Sequence, residues 1–443
     1  MYKKNKLIKI SYQLLLIYLT IFPFISYLNL KLFGKVGIDN LFLLLVFLFS
    51  DPELIKNKIK FNKNNFEYIL FLSLFLIATL LPTFNTIMYS SDVSPFTLTQ
   101  SLRFLQPVIF LLILKFIISD WESFKKLNIA LLIGTVFAGI VGLLQALDVE
   151  FIWNITERFY VRGGVPGTFM NRYKMPSFLG ENANHFGAYM AVGLIVLLGY
   201  GKHLFRKDIT KNMFIIVLGM GLIFSMSMTS IIAFMLFLFI YFWKEVVLRK
   251  KEVFYNLGML VIAVILVMPF YKDRIIDRIE TKFRKQETIE TSEEETSEEE
   301  TSEEEIKNPF LIRGLKGRYK CWRKTWFFIK GQPLHKKLLG TGYSKKFKMA
   351  DNYYLELLRT GGFFSVILFI SIFGSLIILS GTLFFIFIKK RERLSNIYFT
   401  FTCLLISFFV MSSTAGYIGY FGVIIPMALI AGSLGKFKEG IEY

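Results

Sequence analysis

The stretch Phe363 to Ile388 carries no charged residue, and it is longer than the roughly 20 residues a helix needs to cross a bilayer. Met213 to Trp243 and Val253 to Tyr271 are uncharged in the same way. Runs of this length and number do not fit in the core of a soluble domain. Composition agrees: the chain of 443 residues contains 49 phenylalanines and is 19% charged, against about a quarter in soluble proteins. The mean hydropathy is +0.51. These observations predict an all-α polytopic membrane protein.

The apolar runs predict about 12 transmembrane helices. They are Ile10 to Leu30, Val36 to Phe49, Phe66 to Phe84, Phe104 to Ser119, Leu127 to Leu147, Ala183 to Tyr200, two within Met213 to Trp243, Val253 to Tyr271, Phe363 to Ile388, Ile397 to Met411 and Tyr417 to Leu434. Ser225 to Ser230 divides the long seventh run. Met1 to Lys9 is basic and imitates a signal peptide, but the run behind it passes Pro23 without a small-residue cleavage site, so it reads as a retained first span.

Net charge is +19. In a soluble protein such a surplus would suggest nucleic acid; here the cations mark topology. Lysines and arginines follow every even span, at Lys56 to Lys63, Lys125 and Lys126, Lys202 to Lys211, Lys244 to Lys251, Lys389 to Arg393, and Lys436 and Lys438. Cytoplasmic loops are basic in this way. Both termini are then expected in the cytoplasm, with the stretches Arg158 to His185 and Lys272 to Gly361 outside. The organisation follows: spans 1 to 9 over residues 1–271 with an outer loop at 148–182, a large extracytoplasmic loop at 272–361, and spans 10 to 12 over 362–443. Three scattered histidines give no metal-ligand spacing. Cys321 and Cys403 lie in a polar loop and an apolar run, which speaks against a disulfide.

The two outer stretches hold the chemistry. Within the large loop, 286–306 contains the acidic repeat TSEEE three times. It has too little apolar surface to fold, and reads as a solvated insertion or an electrostatic flap. Behind it, Arg313 to Lys330 interleaves cations with Trp322 and Trp326. As a helix it suits a lipid headgroup layer or offers Arg313 and Arg318 to a diphosphate, since guanidinium matches phosphate oxygens with paired donors. Gly340 and Gly342 permit tight turns. Asp351 and Asn352 then precede Tyr353; either could cap a helix, or a carboxylate there could accept a proton as a general base. In the first outer stretch, Arg162, Arg172 and Lys174 stand among Gly163, Gly164 and Gly167, and Glu181, Asn182 and Asn184 open the next span.

The ordered set resembles the O-antigen ligase and polymerase superfamily. It comprises a basic Gly-rich loop, Asn182-x-Asn184-His185 opening a span, a Ser-rich break, Arg318-x-x-x-Trp322, Gly340-x-Gly342, Asp351-Asn352-Tyr353-Tyr354-Leu355 and Gly361-Gly362. The resemblance implies a glycosyltransferase of the inner membrane acting on its outer face. It would take glycan from a polyprenyl-diphosphate donor and join it to a lipid-linked acceptor, with neither metal nor nucleotide nor other cofactor. Arg162 and Arg318 take the places of the family's outer-loop arginines; Asp351 stands where ligases carry histidine, which favours a polymerase. The implied roles are catalytic for Asp351, Arg318 and Glu181. Binding roles go to Arg162, Arg172, Lys174, Arg313, Asn184, Asn352 and Tyr353. Membrane lipids and other polysaccharide-assembly membrane proteins are the expected partners, and nucleic acid is not. A ligase is the alternative within the family. A lipid-linked oligosaccharide flippase or transporter is the alternative outside it, disfavoured because mid-span carboxylates are scarce and no internal repeat is visible.

Overall fold

The computed structural model describes residues 2–25, 66–89, 110–111, 113–114, 117–118, 120–147, 149–160, 183–248, 250–270, 313–342, 352–388, 391–412 and 421–434. Among these there is no strand. Helix α1 is Tyr2–Ile25. Helix α2, Phe66–Phe75, passes through a π-turn at Leu76–Leu80 into α3, Leu81–Tyr89. Then come α4, Trp121–Ala146, and α5, Glu150–Tyr160. Next are α6, Ala183–Leu204, α7, Asp208–Phe224, and α8, Met228–Val247. Helix α9 is Glu252–Phe270. Helices α10, Arg313–Gly331, and α11, Leu334–Leu339, lead into α12, Tyr353–Phe387, which is interrupted at Gly362. Finally, α13 is Glu392–Ser412 and α14 is Phe421–Leu434.

Six described helices are long and apolar enough to cross a membrane: α4, α6 from Asn184, α8, α9, α12 and α13. The sequence count of about 12 goes beyond them; Val36 to Phe49, for one, lies outside the described residues. The serine break falls where the sequence puts it, since α7 ends at Phe224 and α8 starts at Met228. The tenth helix differs from expectation. It starts at Tyr353, ten residues before Phe363, because Asn352 caps it and Gly362 kinks it without ending it.

Helix α6 is the axis of the bundle. It packs on α4, α7, α8, α13 and α14, and Phe186, Tyr189 and Tyr200 on it are buried. Its small residues admit close neighbours: a Cβ at Gly187 would strike Ser225 and Ser227, and one at Gly199 would strike Thr400. Small residues serve bilayer helices in this way, because lipid supplies no hydrophobic drive between helices and contact must come from packing.

Side-chain contacts fix the direction of each helix. Tyr200 donates to the Asn128 amide oxygen at 2.6 Å, so the end of α6 meets the start of α4. Tyr12 bonds the Ser123 carbonyl and Gly134 abuts Thr20, so α1 runs parallel to α4. His203 meets Asn396 at 3.2 Å, so α6 and α13 are antiparallel. Phe387 stacks on Tyr398, and Tyr354 donates to the Phe409 carbonyl at 2.8 Å, so α12 is also antiparallel to α13. Ala146, Phe224 and Val267 cluster at the far end, placing the ends of α4, α7 and α9 together.

The bundle therefore has two unlike ends. One, the basic end, gathers the starts of α1, α4, α7, α9 and α13 with the ends of α6, α8 and α12. Four of its lysines are met by acids. Lys211 binds Glu252 at 2.9 Å, Lys244 binds Glu245 at 2.7 Å, and Lys202 and Lys250 share Glu392. Burial pulls the Lys250 ammonium down, but its bond to Glu392 and the charges of Glu245 and Glu392 outweigh this and raise its pKa. Lys244, 5% exposed, also donates to Asn396 at 3.1 Å and lies 4.2 Å above the Phe399 ring. The other end, the glycine end, receives the starts of α6, α8 and α12 and the ends of α4, α7, α9 and α13. Both polar stretches of the sequence leave from it and return to it.

Candidate functional site at the glycine end

Helices α6, α7 and α8 meet at the serine break. The Ser227 and Ser230 hydroxyls are 2.8 Å apart, Ser230 donates to the Asn184 carbonyl at 3.4 Å, and the Ser227 N–H donates to Ser225 Oγ at 3.2 Å. Met226 turns the chain with φ of +49°, a left-handed conformation that costs an ordinary residue about 1–2 kcal/mol. Hydroxyls that stay hydrogen-bonded make a buried break of this kind tolerable. The sequence motif opening α6 and the serine break thus form one polar corner.

The second corner is a three-way backbone junction. The strap Gly340-Thr341-Gly342 pairs with the N-terminal piece of α12. Thr341 N–H donates to the Arg359 carbonyl at 2.8 Å and Gly342 N–H to the Thr360 carbonyl at 3.0 Å. Asn85 on α3 donates its amide to the Thr360 carbonyl at 3.1 Å and also to the Leu339 carbonyl. The main chains approach so closely that side chains are excluded. A Cβ on Gly340 would strike Thr360, one on Gly342 would strike Thr86, and one on Gly362 would strike Leu338. All three glycines have φ between +70° and +89°. Here glycine is required both by conformation and by space.

Between these glycines and the start of α12 lies a buried ion pair. Arg359, 2% exposed at its side chain, directs Nε at Glu356 Oε2 at 3.2 Å and Nη2 at Oε1. The Thr360 hydroxyl closes on the Glu356 carbonyl at 2.8 Å. Burying two charges costs several kcal/mol per ion unless the geometry is good, which a two-pronged arginine–carboxylate pair provides. Sequence reasoning missed both residues. Their signal was an acid and an arginine three apart, one helical turn inside a hydrophobic segment.

Asn352 caps α12 by accepting from the Leu355 N–H at 3.0 Å. Tyr353 is buried with its ring edge-on to Phe369, centroids 5.4 Å apart. Arg313 and Arg318 fall on α10 as the sequence predicts. Position 318 lies on the helix stripe that continues through Trp322, Thr325 and Ile329, of which Thr325 and Ile329 are buried. The Trp322 indole N–H is buried and has no acceptor among the described residues. Asn184 opens α6 at the serine corner. Arg162, Arg172, Lys174, Glu181 and Asp351 lie outside the described residues, as does the acidic repeat. Among the described residues no cluster of three or more histidine, cysteine or carboxylate side chains could hold a metal ion.

Among the described residues, a helical bundle with six helices apolar enough to cross a membrane, and with the serine break, the glycine strap and the Asn352 cap at one end, is of the class of multi-pass membrane proteins. Within it, residues 213–370 match the family model described as O-antigen ligase. The matched region runs from α7 through the serine break, α9 and α10 to α12 beyond Gly362. It supports the O-antigen ligase and polymerase superfamily, whose members are membrane glycosyltransferase-like enzymes acting on lipid-linked glycans. No curated protein matches the sequence.

Proposed function

We propose that the protein is a surface-polysaccharide polymerase of this superfamily. It transfers a growing glycan from its polyprenyl-diphosphate carrier to the terminal sugar of a lipid-linked acceptor, at the extracytoplasmic face of the inner membrane. The observation that carries the proposal is the shared end. Helix α6 opening at Asn184 and α12 opening at Asn352 both start beside the C-terminal turns of α13. The outer stretches attached to them can therefore act on one substrate. The basic end, with its many lysines, is the cytoplasmic one by the positive-inside rule.

In this reading Arg318, with Arg162, Arg172, Lys174 and Arg313, holds the diphosphate and stabilises the charge that grows on it as the glycosidic bond to phosphate breaks. Fixed cations aimed at developing charge are among the largest contributions to catalysis. Asp351 takes the proton of the acceptor hydroxyl, with Glu181 as the second candidate, and the freed oxygen forms the new bond to the sugar carbon. Asn184 and Asn352 take part in binding glycan, and Tyr353, its ring buried against Phe369, holds the start of α12 beside them. Purified protein given synthetic lipid-diphosphate repeat units, without nucleotide sugar or added metal, should lengthen them into a ladder. Transfer of whole chains to a terminal acceptor with no ladder would instead identify a ligase. Loss of the protein separates the same alternatives in cells: single units accumulate for a polymerase, long chains on the carrier for a ligase.

A further inference from the structure

Helices α10 and α11 hold a second surface, separate from the stripe of position 318. Residues 313–342 contain nine lysines and arginines and no aspartate or glutamate. On α10, Thr325 and Ile329 are buried, while Arg323, Trp326, Phe327 and Lys330 are exposed. Those four positions share one helix face by their spacing. Trp326 is 47% and Phe327 54% exposed, and the Arg323 guanidinium lies 5.4 Å from the Phe327 ring. Helix α11 continues the pattern with Leu334, 71% exposed, and an exposed Leu338 flanking Lys337.

The depth of this surface is set by the glycine junction. Gly340 and Leu338 touch Thr360, Gly361 and Gly362, and the exposed apolar face of α12 begins immediately afterwards at Phe363 and Phe364. The α10–α11 unit thus sits where the lipid-facing segment ends. Exposed indole and phenyl rings among cations, with no acid, match a layer of phosphate headgroups over acyl chains. Water alone would not favour those rings, and anionic headgroups complement cations that have no carboxylate within α10 or α11.

We propose that the exposed face of α10 and α11 docks on anionic phospholipid of the bilayer that holds the protein, and so fixes the height of the helix bearing Arg313 and Arg318. The interaction needs no glycan donor and stands independently of the polymerase reading.

The test uses the full chain in nanodiscs containing dibrominated phosphatidylglycerol or dibrominated phosphatidylcholine at equal mole fraction. Bromine quenches tryptophan on contact, and the Trp326 contribution is the difference between wild type and Trp326→Phe. Trp326 should be quenched at least twofold more by the brominated phosphatidylglycerol. The triple variant Arg323→Gln, Lys324→Gln, Lys330→Gln should lose that preference while keeping the wild-type melting temperature. Should that variant misfold, raising NaCl to about 0.5 M on the wild type should abolish the preference, because salt screens exposed charges. No quenching by either lipid, equal quenching in the wild type, or a preference that survives both charge removal and salt would each overturn the proposal.

Discussion

The two ends of the bundle are both rich in cations and use them differently. At the basic end four lysines have a carboxylate close by: Lys202 and Lys250 converge on Glu392, Lys211 on Glu252, and Lys244 on Glu245. At the glycine end, Arg313 to Gly342 contains no acid at all, and among the described residues there only Arg359 has a carboxylate partner, Glu356. A cation whose charge is already met by a neighbouring acid holds helices together and has little left for a ligand. The cations of α10 and α11 have no carboxylate within those two helices, and the nearest acids in sequence are those of the repeat ending at Glu305. Charge count alone hides this; pairing separates scaffold from site.

The sharpest way to break that contrast is Arg318→Ala. Loss of chain growth by about 100-fold or more is expected, with unchanged insertion and accumulation, read from the glycan ladder in the reconstituted assay. Normal polymer from that variant would remove Arg318 from the site.

Glu356→Ala should come next. Stranding a buried arginine costs about 3–5 kcal/mol, visible as a large drop in melting temperature in detergent. The pair replacement Glu356→Leu with Arg359→Met should recover much of it, because two charges leave the interior together. If the double variant is no better than the single one, the ion pair is not what stabilises this turn.

Gly362→Ala tests the junction. Forcing a positive φ on alanine costs about 1–2 kcal/mol, and the clash with Leu338 adds to that. The melting temperature should fall, and protease should cut more readily between α11 and α12. A neutral result would mean that the strap is not locked onto the kink.

Asn352 separates capping from catalysis at smaller cost. Asn352→Ala should lose about 1 kcal/mol, while Asn352→Asp, which caps equally well, should keep stability. Activity lost in the aspartate variant at full stability would assign Asn352 a direct part in binding glycan. The smallest effect is expected at the basic end. Lys202→Ala breaks partly exposed pairs and should cost under about 1 kcal/mol, leaving the ladder unchanged.

Much of the architecture was legible from residues alone. An uncharged run such as Val253 to Tyr271 announces its helix because transfer to lipid depends on local composition. Ser225 to Ser230 announced the break that α7 and α8 show, and Arg313 to Lys330 announced α10. Residues 353–361 were assigned to the outer loop, although α12 already runs through them. The kink at Gly362 does not end the helix, because the neighbouring strap satisfies the Arg359 and Thr360 carbonyls.

What sequence by itself determined was the apolar character of runs such as Val253 to Tyr271 and the break at the serines, since those depend on neighbours a few residues away. Tertiary structure alone decided that Asn184 and Asn352 open helices at the same end, that Asn85 bonds a carbonyl 275 residues further on, and that the local Glu356–Arg359 pair is packed away from water. These are matters of packing between distant segments. Helix direction alternates with every crossing, so the company a residue keeps is set by how many crossings precede it and which helices pack side by side, and neither is written in its own surroundings.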